Sequence, residues 1–378
     1  MFNFSRENTN TIARWWRKID KQLLFSFVFL FFLGLFFSFS STSSVIGEKL
    51  NKETYFFFIK HLIFVILSLS LLLIISIQSR NFIENNLLFI FIISIIFLLL
   101  VPIIGIEVKG SKRWIDLPFL PRFQPIEMVK PLVILIFAKI IVKKDNYNIY
   151  FRFLISFMVL LPIIFLLINQ PDIGQALLIA SSWFIMIFVS GISLLVLFLI
   201  VTTGLGTLFL LIYSFPNKFG YIISRLTTFF DPTKGDNFQA DKALDAIKLG
   251  GLTGRGMGEG ILKDRVPEAH TDYIVAVISE EFGIIAIFLI ILLFLYVAKK
   301  VLDKILIEED EFIKLVLVGL ISILFIQTFV HIGVNIRLFP TTGMTLPFLS
   351  YGGSSLIGSA LTAGIILSYT KKILKKFN

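Results

Sequence analysis

The 378-residue chain contains no cysteine. That excludes disulfides, iron–sulfur clusters and thiolate nucleophiles. Its three histidines, His61, His270 and His331, lie far apart and show no metal-ligand spacing. Charge is scarce as well: 16% of residues are charged, against about 25% in a soluble domain. What replaces it is apolar. Hydrophobic residues make up 56%, 43 of them Phe, and the run Leu87–Ile106 carries no charge at all. A bilayer core of roughly 30 Å takes about 20 apolar residues per helix, so a chain of this length accommodates roughly ten spans with modest loops. The net charge of +10 is spread over segments flanking those runs, as membrane topology requires, which argues against a nucleic-acid partner.

The predicted fold class is therefore all-α integral membrane, one polytopic domain over residues 1–378. Spans are expected near 23–41, 56–77, 87–106, 126–142, 149–168, 174–190, 192–213, 273–298, 313–334 and 352–370, each bounded by polar or Gly/Pro/Asn clusters. Lys/Arg-rich connections (Arg14–Lys21, Lys143–Lys144, Lys299–Lys304, Lys371–Lys376) all fall on the side of both termini. That side is expected to be cytoplasmic. The first apolar run exceeds the 7–15 residues of a signal-peptide core, so an uncleaved anchor is expected. Ahead of it, Trp15 and Trp16 among basic residues mark an interfacial helix within residues 1–22.

Two segments on the opposite face stand out. Residues 107–125 (EVKGSKRWIDLPFLPRFQP) hold Lys109, Lys112, Arg113 and Arg122 against Glu107 and Asp116. A basic translocated loop runs against the positive-inside trend, and an anionic ligand at the membrane surface would compensate it. Residues 215–272 form the long connection between spans seven and eight. Its eight basic and eight acidic residues cancel, so function there depends on individual placement. Asp236 or Asn237 can cap a helix with the stripe Ala240, Ala243, Leu244 and Ile247, ended by Gly250. The following GGLTGRGMGEG (250–260) lacks the preceding strand and the Gly-Lys-Ser/Thr of a nucleotide site. Close backbone approach to a helix or a phosphate remains open for it, as does plain loop flexibility.

Ionisable residues at the membrane edge complete the set. Asp272 sits where this loop meets span eight, as a functional carboxylate or as that span's N-cap. Glu280 and Glu281 lie about 12 Å deeper along the helix axis, where ionisable groups are costly and a partner is expected. Glu127 and Lys130, three apart at the start of span four, share a helix face. Lys60, Asp172 and Arg337 also lie near the outer ends of spans.

The strings KGSKRWIDL, FQPIEMVKP, QPDIGQ, PEAHTDYI and PTTGMTLPFLSYGGSS occur in this order on the outer connections. Together they resemble the SEDS family (shape, elongation, division and sporulation) over residues of about 13 to 370. GRGMGEG, PEAHTD and GMTLPFLSYGGSS are most similar to its cell-division branch. Two positions depart from the family pattern: His331 stands where Asn is usual, and Ile126 where Ser is usual.

The resemblance implies a ten-helix membrane domain that polymerises lipid II, a prenyl-diphosphate-linked disaccharide–peptide, at the outer leaflet. It also implies a class B penicillin-binding protein as cross-linking partner, other division membrane proteins, and a place in the inner membrane at the septum. Asp272 would be the base for the attacking sugar hydroxyl. Lys109, Lys112, Arg113, Lys130 and Arg337 would neutralise the departing diphosphate, with Glu127 orienting Lys130 and Trp114 stacking on a sugar or sitting in the interface. Ser350, Gly352 and Gly353 of the C-terminal signature would line the substrate site. Mg2+ or Mn2+ could share the neutralisation, although no ligand set is readable. The rival readings are a flippase for the same lipid, the elongation-type polymerase, and a non-catalytic scaffold. A transport route should place charge at mid-membrane and on both sides; here it gathers at one side.

Overall fold

The computed structural model describes residues 10–41, 55–108, 110–116, 118, 121–143, 147–231, 238–265 and 269–372. Lys109 and the expected capping residues Asp236 and Asn237 lie outside them. The described chain is almost entirely helical. A short interfacial helix, α1 (Thr11–Lys18), precedes α2 (Lys21–Ser41), α3 (Phe56–Ile77) and α4 (Arg80–Ile104). The hairpin β1 (Ile106–Val108) and β2 (Ser111–Trp114) leads into α5 (Ile126–Val142), α6 (Ile149–Asn169), α7 (Ile173–Val189) and α8 (Leu194–Ser214). Then come α9 (Pro216–Phe230), α10 (Phe238–Gly250), the single turn α11 (Leu262–Arg265), α12 (Ile274–Ile307), α13 (Glu311–Asn335) and α14 (Gly353–Tyr369).

Among the described residues, seven helices are long and apolar enough to cross a membrane: α2, α3, α4, α6, α8, α12 and α13. The helices at the remaining expected spans, α5, α7 and α14, have 17 residues each, about 25 Å at 1.5 Å per residue. These three are buried along much of their length, so they form the inside of the bundle. Gly358 of α14 lets that helix approach α5 closely, since a Cβ there would lie 2.7 Å from the Glu127 carbonyl.

Two expected boundaries move by more than a few residues: α12 runs on to Ile307 rather than 298, and α4 starts early. α4 begins at Arg80 rather than Leu87, because Ser79 accepts from Phe82 N (3.2 Å) and caps a first turn made of polar residues. The stretch after α4, read as a loop, contains the hairpin. In it Glu107 faces Lys112 and Ile106 faces Trp114, with Gly110 at the turn.

Segments near the chain ends meet on one face. Lys372 N donates to Lys18 O at 2.8 Å, Lys371 Nζ reaches Ile77 O at 3.2 Å, and Arg80 reaches Tyr369 O at 2.7 Å. The hairpin, the α6–α7 turn, α9 to α11 and the 336–352 connection lie at the opposite helix ends. That connection follows α13 and precedes α14.

The glycine-rich segment has a structural task. α12 is broken at Gly283 (φ 77°, ψ 175°), which would strand backbone polar groups at membrane depth. Residues 251–256 satisfy them. Arg255 N and Gly256 N donate to the Glu280 and Glu281 carbonyls (2.9 and 3.0 Å), while Ile284 N and Ile285 N donate to Gly251 O and Leu252 O (3.0 and 3.3 Å). Of the open alternatives, close backbone approach to a helix is the one realised. Glu280 accepts Ile261 N and Leu262 N at 2.9 Å each, with Arg255 3.9 Å away. Glu281 accepts from Ser40. Glu280 thus holds the loop to the break, and Glu281 ties the break to α2.

Candidate active site

Four elements, β2, α5, α7 and α12, bring charge together at the outer ends of the helices. β2 presents Arg113, whose Nε donates to Gln170 O at 3.1 Å and whose Nη2 donates to Pro171 O. Its Nη1 lies 3.7 Å from Asp172 Oδ1. Asp172 heads α7, is buried, and accepts Gln124 Nε2 at 3.0 Å. Burial pushes the Asp172 carboxyl above the usual carboxylate range, against the pull of the Arg113 guanidinium.

Beneath this pair lies a second one. Lys130 Nζ is 2.8 Å from Glu127 Oε2, and both side chains are only 4% exposed. Gln175 Nε2 donates to the other Glu127 oxygen at 3.0 Å, and Lys130 donates to Gln327 Oε1 at 3.0 Å. Gln327 in turn donates to Thr345 O at 2.9 Å. A buried ion pair is tolerated when its remaining donors and acceptors are met in this way. The expected pairing of Glu127 with Lys130 is present. The ammonium is thereby occupied by a carboxylate and an amide.

Asp272 is half-buried at the foot of α12. Its turn is held at three successive carbonyls: Tyr351 N donates to His270 O (3.0 Å), Ser350 Oγ to Thr271 O (2.7 Å) and Asn335 Nδ2 to Asp272 O (3.1 Å). Asn335 Oδ1 accepts Ala276 N at 3.1 Å, tying the same side chain to the first turn of α12. A Cβ added to Gly343 would sit 3.5 Å from Asp272 Oδ2 and 3.9 Å from Arg113 Nη1. One point on the signature loop therefore faces a carboxylate and a guanidinium from distant parts of the chain. Gly343 has φ 71°, a conformation that glycine takes at little cost.

The other expected site residues divide. Lys112 is exposed on the hairpin and Trp114 is half-buried. Ser350 is buried and serves the Asp272 turn. Gly352 is extended (φ 177°), and a Cβ on Gly353 would run into the Phe64 ring, so Gly353 is a packing position. Arg337 pairs with Asp241 of α10. His331 Nδ1 contacts Met344 O at 2.7 Å, one helical turn from Asn335. Among the described residues no three His, Asp or Glu side chains converge as a cation site.

Arg225 was not among the expected site residues. It stands half-buried on α9, its Nη1 donating to Thr341 O at 3.1 Å and its guanidinium 5.9 Å from the Tyr221 ring. Burial and the neighbouring Arg113 charge hold its pKa down, while Asp172 and Asp272 work the other way. Gln124, Gln175, Gln327 and Asn335 were also missed. For Gln175, Gln327 and Asn335, neutral amides in otherwise apolar helices were the available signal, since each must find a partner there.

A family model described as cell cycle protein (FtsW/RodA/SpoVE) matches residues 21–373. The chain is 32% identical over 372 residues to the probable peptidoglycan glycosyltransferase FtsW of Caulobacter vibrioides, covering 98% of this chain and 93% of that one. It is 35% identical over 358 residues to the equally named protein of Haemophilus influenzae, covering 92% and 89%. Among solved structures, a chain from a study of polymerization and crosslinking by a peptidoglycan synthase complex aligns with a TM-score of 0.73 at 24% identity, covering 93% of this chain and 97% of that one. The crystal structure of the Thermus thermophilus rod shape determining protein RodA aligns at 0.69 and 24% identity, covering 94% and 97%. These last two speak for the fold. With its motifs, its helical membrane architecture and these matches in agreement, the chain belongs to the SEDS family of multi-pass membrane proteins, the FtsW/RodA/SpoVE cell cycle proteins.

Proposed function

We propose that this protein is a peptidoglycan glycosyltransferase of the cell-division type, polymerising lipid II into glycan strands at the outer face of the cytoplasmic membrane. The observation that carries this reading is the convergence of Asp272 and Arg113 at Gly343. Asp272 takes the proton of the attacking sugar hydroxyl, a contribution typically worth ~10²–10⁴-fold. The oxygen then displaces the prenyl diphosphate from the anomeric carbon of the other sugar. Arg113 neutralises the charge that grows on the leaving diphosphate. A single displacement with inversion needs one carboxylate only. Glu127 and Lys130 act from beneath, through Gln175 and Gln327, by fixing α5, α7 and α13 against one another.

A class B penicillin-binding protein is the partner in this reading, other division membrane proteins join it, and the septum is the place. Relatives named as glycosyltransferases at up to 35% identity support the chemistry. The convergence of Asp272 and Arg113 at the outer helix ends favours catalysis over passage of the lipid, as a flippase would require polar groups along a route. Purified protein with its transpeptidase partner, given labelled lipid II, is expected to make glycan chains separable on a gel. Translocation of labelled lipid across proteoliposomes without chain formation would favour the flippase instead.

A further inference from the structure

A cavity of about 190 Å3 lies on the outer side between α9 and the connection after α13, lined by Ser224, Arg225, Thr228, Arg337, Phe339 and Thr341 among others. α9, α10 and residues 336–341 all fall outside the apolar helices that cross the membrane, so the cavity is built almost wholly from extracytoplasmic segments. Its two guanidiniums differ. Arg337 is matched by Asp241. Arg225 forms no ion pair among the described residues; its bonds go to the Thr341 carbonyl and the Tyr221 ring face. The site is thus a polar and aromatic recess around a half-buried guanidinium that Asp172 and Asp272 influence only from a distance, without a salt bridge among the described residues.

We infer that this cavity is a carboxylate subsite that takes the peptide of the lipid-linked substrate. The inference rests on the lipid II reading of the neighbouring site. A guanidinium presents parallel N–H donors that fit a carboxylate bidentately, and the Ser224 hydroxyl beside it can complete such a grip. A phosphate presents the same oxyanion chemistry. The diphosphate, however, is tethered to a prenyl chain in the bilayer and falls to Arg113 at the helix ends. The peptide hangs from the sugar into the aqueous side, where α9 and α10 stand.

The test uses the full chain with its transpeptidase partner, and lipid II carrying either free or amidated peptide carboxylates. Arg225→Gln is expected to raise KM for the free-carboxylate substrate by about tenfold, in line with the loss of a charged hydrogen bond, and to leave KM for the amidated substrate unchanged. A fluorescent soluble muramyl peptide without lipid is expected to bind the wild type and to lose that binding in Arg225→Gln. An equal effect on both substrates would assign Arg225 to the diphosphate or to the fold and overturn the subsite, as would no effect on either. Arg225-dependent peptide binding by a wild type that makes no glycan would keep the subsite and remove the polymerase reading. Glycan synthesis with peptide binding indifferent to Arg225 would do the reverse.

Discussion

Asn335, fully buried at the end of α13, donates its side-chain amide to the backbone carbonyl of Asp272 at 3.1 Å. With the same amide it reaches His331 O at 2.8 Å, and its oxygen accepts Ala276 N. The proposed base is therefore placed by a residue 63 positions away. Asn335→Leu removes three hydrogen bonds from a buried site, each worth about 1 kcal/mol net. Polymerisation per folded molecule is expected to fall about tenfold or more in kcat, with lipid II affinity little changed. Kinetics normalised to folded protein check this, and an unchanged kcat would remove Asn335 from the placement of Asp272.

The Glu127–Lys130 pair makes a stability prediction. Removing one partner leaves a buried unpaired charge, at a cost of about 3–5 kcal/mol, whereas replacing both is milder. Glu127→Gln and Lys130→Met are each expected to lower the thermal unfolding midpoint in detergent, and the double variant is expected to recover part of the loss. A double variant worse than the sum of the singles would contradict this account of the pair.

Asp172 sets a pH dependence. Its folded-state pKa is raised by burial, so the carboxyl takes up a proton at a pH where an ordinary Asp stays ionised. Between the unfolded pKa and the raised one, the folded state binds the extra proton, and this group's contribution to stability falls as the pH rises through that window. Activity runs the opposite way, because the ionised form is the partner that positions Arg113. The acid limb of the rate profile is expected above the usual carboxylate range, and Asp172→Asn is expected to lower the plateau and abolish that limb. A limb unchanged in the variant would assign it elsewhere.

The glycine-rich segment can be separated from the chemistry. At Gly254 and Gly283 both the positive φ and the facing backbone, of α12 and of the loop respectively, forbid a side chain. Alanine at either is expected to cost most of the folded protein, measured by size-exclusion profile. Gly220→Ala is the control, as open space surrounds that position. Normal folding of Gly283→Ala would refute the role given to the break in α12.

Much of the architecture was legible because lipid imposes a simple rule: apolar runs of span length become helices, and the apolar segments were placed to within a few residues except at the start of α4 and the end of α12. The Glu127–Lys130 pairing was legible for a similar reason, since a spacing of three fixes a shared helix face. Arg113 with Asp172, and Asn335 with Asp272, were not. Those partners lie 59 and 63 residues apart, on different elements, and no local periodicity encodes how helices pack side by side. The task of residues 250–260 was hidden likewise, because glycine spacing signals close approach without naming what approaches. Arg225 was missed since a lone arginine in a formally neutral loop carries no distinguishing pattern.

The central claim is that Asp272 is the base of a lipid II polymerase. Asp272→Asn keeps the size of the side chain and, through the backbone, the three carbonyl bonds that hold its turn. Purified with the transpeptidase partner and supplied with labelled lipid II, the variant is expected to bind substrate as the wild type does and to make no glycan chains. Chains formed by the variant at the wild-type rate would contradict the assignment.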